Sequence, residues 1–334
     1  MKTIALFNNK GGVGKTTLVY HLSYMLSRLG YPTLAVDLDP QANLTSAFFD
    51  EDQLESIWSH GARTVLSCVQ PILDGTGDIA NALPISVADE LAVLAGDLGL
   101  SRFEDKLSEA WPKGFATDLA SLRTTSAFHR IIGQAAASVG ATVALLDVGP
   151  NLGAINRAAL LSADFLIIPL AADLFSLQGL RNLGPAVRTW KQQWDLVKGL
   201  AAGKAAFDLP DGLMHPAGYI VLQHAVRLDR PVRAYGKWLE RIPAVYREFV
   251  LGQPLEQHQI FDDLDRNCLA TLRNYRSLMP MAQDARKPMF DLRPSDGAIG
   301  SHAQLVQTCG AEFEKLAKEI VVKCRLDSAI LSPQ

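Results

Sequence analysis

The chain has 334 residues, of which 48% are hydrophobic and 20% are charged, and its formal net charge is −3. Because nearly half of the residues are apolar and the net charge is small, the composition excludes an intrinsically disordered chain. Four widely spaced cysteines without a CxxC pair exclude a disulfide scaffold, and no apolar run approaches the ~18 residues of a membrane span. At about 150 residues per domain, the length alone allows one large domain or two ordinary ones.

Short apolar runs alternate with helical patterns along the chain. Runs typical of buried parallel strands occur at residues 2–8, 33–37, 142–146, 165–169 and 218–222. Apolar residues at helical spacing predict a helix at 16–29, which ends before Gly30, and a last long helix at 303–322. This alternation predicts an α/β fold with parallel βαβ units and right-handed crossovers.

A glycine-rich segment joins the first predicted strand to the first predicted helix. Its residues are Lys10, Gly11, Gly12, Val13, Gly14, Lys15, Thr16 and Thr17. Glycines allow consecutive backbone N–H groups to turn toward phosphate oxygens, and the positive end of the helix dipole strengthens such an anion site. In this pattern Lys15 reaches the β- and γ-phosphates and the Thr16 hydroxyl binds Mg²⁺. The segment therefore predicts a phosphate loop.

Acidic residues follow two of the predicted strands. Asp37 and Asp39 stand at the carboxyl end of strand 33–37, and Asp147 follows the apolar run 142–146. Ligands of open α/β sheets bind at this end of the strands. An acid after a hydrophobic run is typical of the Walker B carboxylate, which contacts Mg²⁺ in P-loop proteins. A capping role in the following turn stays open for Asp37 and Asp39.

These motifs resemble the deviant Walker A ATPases of the ParA/MinD class, and ParA/Soj-type partitioning ATPases most closely. Lys10 matches the signature lysine of that class, and the DLDPQ segment is similar to the family's VDxDPQ. One departure is Gly149, because the chain has Asp-Val-Gly-Pro where the family usually has Asp-x-Pro-Pro. Further similar segments lie at residues 158–169, 174–180 and 282–291, so that the resemblance spans residues 2–321.

The resemblance implies roles for individual residues. Lys10 would reach across a two-fold interface to the nucleotide of the other subunit, so that hydrolysis would require a homodimer. Asp39 would position or activate the attacking water, Asp37 would support the Mg²⁺ shell from behind, and Asp147 would bind Mg²⁺ directly or through water. Lys10, Lys15 and Asp39 are therefore the expected catalytic residues of a slow, partner-stimulated ATPase that uses ATP and Mg²⁺.

The resemblance also implies one P-loop NTPase domain over residues 1–326, built as a doubly wound, mostly parallel sheet flanked by helices. Residues 191–216 and 249–267 match no family segment and are expected to be insertions, and 327–334 would form a tail. The N-terminus leads directly into the phosphate loop rather than into a cleavable signal, and the free cysteines suit a reducing compartment. We therefore expect a cytoplasmic protein, associated with the nucleoid if it binds DNA.

Charge is distributed unevenly. Residues 51–110 contain eleven acidic and three basic residues, whereas 226–247 contain six basic and two acidic residues. The resemblance implies DNA partitioning or cargo positioning through non-specific DNA binding by an ATP-bound dimer, with release stimulated by a ParB-like or other activating protein, and a basic patch of that kind supports this function. An ordinary solvated helix face is an equally open interpretation. The candidate DNA-binding residues are Arg227, Arg230, Arg233, Lys237 and Arg241.

The same fold also serves other functions. A membrane-cycling regulator of the MinD kind needs a basic amphipathic C-terminal helix, but Glu319 interrupts the stripe there, and no membrane partner is expected. An ATP-gated switch in a regulatory or defence complex stays open, with the acidic 51–110 segment as a protein-binding surface. A metal-cluster reductase is disfavoured because the cysteines lie far from cluster positions.

Overall fold

The structure is a computed structural model. It describes residues 1–59, 63–222, 232–253, 265–275 and 277–327. The strands are β1 (Lys2–Leu6), β2 (Thr33–Asp37), β3 (Ile85–Ala88), β4 (Leu91–Leu94), β5 (Val143–Asp147), β6 (Phe165–Ala171), β7 (His215–Leu222) and β8 (Cys268–Leu272). The first helices are α1 (Lys15–Arg28), α2 (Asn43–Phe48), α3 (Glu51–Ser59), α4 (Val65–Leu73), α5 (Phe103–Gly114), α6 (Leu119–Thr125) and α7 (Ala127–Val139). The remaining helices are α8 (Ala154–Leu161), α9 (Leu174–Ala201), α10 (Val232–Leu239), α11 (Ile242–Val245), α12 (Leu278–Ala285) and α13 (Ser301–Lys323).

All eight strands form one sheet, in the order β3-β4-β2-β5-β1-β6-β7-β8. Every neighbouring pair is parallel except β3 and β4, which form an antiparallel hairpin at one edge. The order reverses at β1, which lies between β5 and β6, as in doubly wound sheets. The carboxyl ends of β1, β2 and β5 therefore lie side by side at one edge of the molecule.

Helices cover both faces of the sheet. Alternate residues of β1 point to opposite faces, with Ala5 in one apolar cluster and Ile4 and Leu6 in the other. The first cluster is closed mainly by α4, α5, α7, α8 and α9, and the second by α1, α12 and α13. Strands buried on both faces are uniformly apolar, which explains why the central strands were the easiest to recognise in the sequence.

The predicted α/β fold with a doubly wound, mostly parallel sheet is confirmed. The helix predicted at 16–29 is α1, and Gly30 follows its end with a φ of 84°. The strand predicted at 142–146 lies one residue later, so that Asp147 is its last residue. The sequence interpretation missed β3, β4 and β8. β4 has only four residues, and β3 and β8 are partly exposed, so they lack the long, fully buried apolar run of the central strands.

The two segments expected to be insertions flank β7. Residues 191–201 form the end of α9, where Trp194 stacks on Trp111 of α5 and donates a 2.7 Å hydrogen bond to the Pro210 carbonyl. Residues 254–264 of the second segment lie outside the described residues, as do residues 328–334 of the expected tail. The domain boundaries therefore stay predictions.

Candidate functional site

The sheet register brings the predicted acids together. Asp37 pairs with Asp147 at the ends of β2 and β5, and Leu6 pairs with Asp147 from β1. The glycine-rich segment follows β1 directly, so that it begins at the same edge. Asp39 lies two residues beyond β2 and donates its backbone N–H to Asp37 Oδ1 at 3.3 Å. Parallel pairing alone thus gathers residues that are more than 100 positions apart.

The glycine-rich segment has the conformation of an anion-binding turn. Gly12 and Gly14 have φ values of 70° and 82°, which L side chains rarely adopt, and α1 begins directly after Gly14. Lys15 is only 6% exposed, and its Nζ donates to the Asn8 carbonyl at 3.4 Å. Burial lowers the pKa of Lys15, while Asp147 and Asp39 act in the opposite direction. The loop therefore presents backbone N–H groups, a helix N-terminus and a buried lysine to one space.

Thr16 and Asp147 form the contact that joins the loop to β5. The Thr16 hydroxyl donates to Asp147 Oδ2 at 2.7 Å, and Asp147 Oδ1 is buried without a hydrogen-bond partner among the described residues. Burial and the neighbouring Asp37 raise the pKa of Asp147. A hydroxyl beside an unsatisfied buried carboxylate oxygen fits a hard divalent cation such as Mg²⁺. No described group of three or more His, Cys, Asp and Glu side chains could hold a metal alone, so phosphate and water oxygens would complete the shell.

Asp37 is held by protein groups rather than exposed to the cleft. Its Oδ2 accepts hydrogen bonds from the Thr45 N–H at 2.8 Å and from the Thr45 hydroxyl at 2.6 Å. Gly96 approaches so closely that a Cβ there would lie 2.7 Å from the Asp37 Cγ. Burial, with a smaller contribution from Asp39, raises the pKa of Asp37. Asp37 thus lies beside Asp147 and is enclosed by protein groups, in a position that suits a supporting role.

Asp39 lies at the mouth of the site. Its side chain accepts a 3.0 Å hydrogen bond from the Gln41 N–H, and the residue is 8% exposed. Across from it stands Gly149, where a Cβ would lie 3.5 Å from Asp39 Oδ1. The capping interpretation of Asp39 and its position at the cleft are therefore both realised, because one carboxylate oxygen caps the turn while the residue still lines the cleft.

Lys10 lies at the outer rim of the phosphate loop. Its Nζ forms an ion pair with Asp173, which also caps α9 by accepting from the Ser176 N–H at 2.8 Å. The ammonium lies 5.8 Å from the ring centroid of Phe175, whose side chain is 71% exposed. The sequence interpretation did not identify Asp173. The position of this acid just before a helix was its only signal.

A cleft of about 840 Å³ extends from the phosphate loop to the segment after α12. Its far wall comes from the stretch that resembles the family's late motif, where Arg286 donates to the Phe49 carbonyl at 2.6 Å. His21 joins the two walls, because it bonds the Thr17 carbonyl at 2.7 Å and accepts from the Met289 N–H at 3.0 Å. The far-wall residues are Met279, Ala282, Gln283, Asp284, Arg286 and Lys287.

The segment between β5 and α8, residues 148–153, is here called the sensor loop. Asn156 of α8 holds it, since its Nδ2 donates to the carbonyls of Gly149 at 3.0 Å and Asn151 at 2.7 Å. Pro150 of this loop lines the cleft. The sequence interpretation noted Gly149 but missed Asn156, because a lone asparagine in a helical pattern carries no sequence signal of its contacts.

Two of the five candidate DNA-binding residues have side chains that the structure describes. Arg227 and Arg230 lie outside the described residues, and the Arg233 side chain does too. Lys237 is exposed on α10. Arg241 is exposed beyond the end of α10, with its guanidinium 5.3 Å from the Trp238 ring centroid. Lys237 and Arg241 do not lie on one continuous helix, because α10 ends at Leu239 and the next helix begins at Ile242.

The amino-acid sequence is similar to those of known proteins. The profile of the AAA_31 family, described as an AAA domain, matches residues 1–198, which is more than half of the chain. The chain belongs to this family. It is 29% identical over 187 residues to the sporulation initiation inhibitor protein Soj of Bacillus subtilis, and 30% identical over 183 residues to the chromosome partitioning protein ParA of Caulobacter vibrioides. These matches cover 56% and 55% of this chain, and 65% and 61% of the relatives, so less than two thirds of each.

Solved structures extend the similarity of the fold beyond the matched region. Protein DIP2308 of Corynebacterium diphtheriae superposes with a TM-score of 0.70 at 24% identity, covering 97% of this chain and 98% of its own. McdA of Cyanothece, solved as a complex with ATP, superposes with a TM-score of 0.58 at 17% identity and covers 96% of each chain. The family match, the relatives and the shared fold together confirm the resemblance to the ParA/MinD class that the motifs indicated. Among its described helices, none has the length and apolar character needed to cross a membrane.

Proposed function

We propose that this AAA_31 protein is an ATP-binding and ATP-hydrolysing dimeric switch of the ParA type. It would position DNA or another cargo by binding DNA non-specifically while ATP is bound. The contact between Thr16 and Asp147 carries the proposal, because it joins the phosphate loop to the Walker B strand beside an unsatisfied carboxylate oxygen. The names of the curated relatives, which include a chromosome partitioning protein, support the cellular role.

Nucleotide binding follows from the geometry of the loop. The backbone N–H groups of residues 11–16 and the N-terminus of α1 would surround the phosphates, and the buried Lys15 would neutralise part of their charge. The Thr16 hydroxyl and Asp147 would hold Mg²⁺, which when bound neutralises charge that develops between the β- and γ-phosphates. The adenine base of the nucleotide would lie toward the far wall, between Met279 and Gln283.

Hydrolysis requires an oriented water. Asp39 is the carboxylate of the set that lines the cleft, and we assign it the orientation of the attacking water and the acceptance of its proton. Groups of this kind contribute roughly 10²–10⁴-fold to rates. Asp37 shares the carboxyl end of β2 but lies behind, saturated by hydrogen bonds from Thr45. The two acids thus have different roles: Asp39 orients the water, and Asp37 supports the structure of the site.

Lys10 links hydrolysis to assembly. Its ammonium stands at the rim of the loop beside Leu174 and Phe175, which are 51% and 71% exposed. Within one chain Lys10 is paired with Asp173, so it would leave that partner to reach the nucleotide of a second subunit. A cation supplied in this way is worth roughly 10³–10⁵ in rate in other NTPases. The ATP-bound form is therefore proposed to be a homodimer.

Exposed basic residues are the candidates for DNA binding. Lys237 and Arg241 are exposed after β7, and they belong to the segment with six basic and two acidic residues. We assign them to non-specific DNA binding, with an activating ParB-like protein that stimulates hydrolysis and release. A cytoplasmic, nucleoid-associated protein would follow. An ATP-gated switch without DNA binding is the outcome that the DNA experiment below would favour instead.

One pair of variants tests the assignment of the site. Lys15→Ala should abolish binding of a fluorescent ATP analogue, whereas Asp39→Ala should bind it with near-normal affinity and lose at least about 100-fold in hydrolysis rate, because only the water-orienting group is removed. Asp52→Ala, which removes an exposed acid on α3, is the matched control and should leave both quantities unchanged. Loss of ATP binding in Asp39→Ala would show that the role given to Asp39 is wrong.

A further inference from the structure

Glu104 of α5 caps a helix that lies 50 residues further along the chain. Its Oε1 accepts a hydrogen bond from the Ala154 N–H at 2.5 Å, and its Oε2 accepts from the Ile155 N–H at 2.8 Å. These are the first two residues of α8, and the residue before them, Gly153, has no side chain to act as a cap. One carboxylate thus satisfies two of the N–H groups that a helix start leaves unpaired, and it interacts favourably with the helix dipole.

Gly153 leaves just enough room for this carboxylate. A Cβ at position 153 would lie 2.6 Å from Glu104 Oε1, closer than any ordinary contact. The φ of Gly153 is −76°, so the backbone conformation itself would allow a side chain. A side chain at 153 would therefore crowd Glu104, and also Asn151, whose Oδ1 would lie 2.8 Å from the Cβ, without straining the backbone.

The first turn of α8 in turn fixes the sensor loop. Asn156 lies in that turn and donates to the carbonyls of Gly149 and Asn151. Gly149 faces Asp39, and Pro150 lines the cleft beside the phosphate loop. A chain of direct contacts therefore runs from Glu104 through α8 to the part of the loop that faces the water-orienting carboxylate.

We propose that Glu104 is a positioning residue for hydrolysis, which holds the sensor loop against Asp39 by capping α8 from α5. This inference rests on the proposed function, since it assigns Glu104 to the same reaction. It predicts that Glu104 affects the hydrolytic step and not nucleotide binding, because the phosphate loop and α1 make no contact with Glu104 in the described hydrogen bonds. It also makes α5, part of the acidic 51–110 segment, a structural neighbour of the loop.

A second contact keeps α5 on α8 when the cap is removed. The Arg157 guanidinium lies 4.3 Å from the ring centroid of Trp111, so the two helices remain packed without Glu104. Glu104→Gln preserves the shape of the side chain while it replaces one of the two acceptor oxygens and removes the charge. This variant therefore weakens the cap without opening a cavity in the core.

The experiment compares Glu104→Gln with Glu109→Gln, which removes an exposed acid from the same helix. Loss of a hydrogen bond to a charged group changes a rate or equilibrium constant by about tenfold. Glu104→Gln should therefore lower the ATP turnover number about tenfold, and it should change the ATP dissociation constant less than about twofold. Amide hydrogen exchange should accelerate in residues 148–156 of this variant. Glu109→Gln should behave as the unaltered chain in all three measurements.

A second variant approaches the same contact from the other side. Gly153→Ala crowds both the Glu104 carboxylate and Asn151 Oδ1, so it should lower turnover at least as much as Glu104→Gln does, and its effect should be smaller in the Glu104→Gln background because the two changes share the contact with Glu104. Normal turnover in Glu104→Gln, even with a lowered melting temperature, or unchanged exchange in residues 148–156, would overturn the inference. An unaltered chain that hydrolyses no ATP would overturn the proposed function itself, and the exchange measurement would still decide the cap.

Discussion

His21 connects the helix after the phosphate loop to the far wall of the cleft. It is buried, bonds the Thr17 carbonyl through Nδ1 and accepts from the Met289 N–H through Nε2. A ring that donates on one side and accepts on the other must be neutral, and burial lowers the pKa of His21 to about 4. Protonation would place a second hydrogen against the Met289 N–H, so acid should separate the two walls.

Stability should therefore depend on pH through His21. In the unfolded chain this histidine has a pKa near 6.5, so between pH 6.5 and 4 the unfolded state binds a proton that the folded state does not. The contribution of the neutral His21 ring to the free energy of unfolding is fully present above pH 6.5. It decreases as the pH falls, and at pH 5 it is smaller by about 2 kcal/mol. Urea unfolding at pH 7.5 and pH 5 measures this. His21→Gln should lose less stability over this interval than the unaltered chain, and equal losses would contradict the assignment.

At the residue scale, the sequence predicted those groups whose chemistry is carried by a local motif. Lys15, Thr16 and Asp147 could be recognised because a phosphate loop and a hydrophobic run ending in an acid are contiguous patterns. Asp173 and Glu104 could not be recognised, because their partners lie 163 and 50 residues away and only the fold brings them together. Asn156 bonds carbonyls only seven and five residues away, but a lone asparagine in a helical pattern does not reveal such contacts. Contacts between helices leave no spacing for a sequence interpretation to detect.

At the scale of elements, the packing of α9 shows how closely this helix meets the turn at Tyr246–Val250. A Cβ at Gly184 of α9 would lie 1.8 Å from the Phe249 carbonyl oxygen. Arg188, one turn later, donates to the same carbonyl. The contact therefore needs a glycine for space, even though Gly184 itself has an ordinary helical backbone. Gly184 thus lowers the helix propensity of α9 but allows the Phe249 carbonyl to approach the helix closely.

Two glycines of α9 should respond in opposite ways to alanine. Gly184→Ala should lower the free energy of unfolding by about 1–3 kcal/mol, because a backbone carbonyl must move to admit the new methyl group. Gly199→Ala, in the same helix with nothing within 4 Å of its Cβ, should raise it by about 0.5–1 kcal/mol through helix propensity. Chemical denaturation of both variants measures these changes. A Gly184→Ala variant as stable as the unaltered chain would contradict the described packing.

Most central elements could be predicted because each is long or uniformly apolar. β1, β2, β5 and β6 are buried on both faces, and their apolar runs stand out from the chain. β3 differs, because it lies at the edge of the sheet and is only half-buried, so its pattern is not distinct from that of a loop. The break between α10 and α11 has no clear sequence signal, since Lys237 and Arg241 keep helical spacing across it.

At the scale of the whole molecule, the small net charge hides two oppositely charged segments. Eleven of the 35 acidic residues lie in 51–110, and the basic segment 226–247 follows β7. Because the net charge is −3, any affinity for DNA must come from a local patch rather than from the field of the whole protein. The asymmetry therefore predicts where a polyanion would bind.

DNA binding should be dependent on ATP and steeply dependent on salt. If about six phosphates are neutralised, the logarithm of the binding constant should fall with the logarithm of salt concentration at a slope near −5. Replacing both Lys237 and Arg241 by Gln should reduce this slope by about 2, as measured by retention on non-specific DNA. The control pair, Lys315→Gln with Lys318→Gln on α13, should leave it unchanged. A flat salt response, or no retention, would favour the ATP-gated switch without DNA binding.

Lys10 of one subunit is proposed to complete the catalytic site of another. This role can be tested by measuring the ATP turnover rate per subunit of the unaltered protein as its concentration is raised. We expect this rate to increase with concentration and to reach a plateau as dimers form, and Lys10→Ala to bind ATP without showing the increase. A rate per subunit that stays constant from the lowest concentration, and that Lys10→Ala preserves, would contradict the claim.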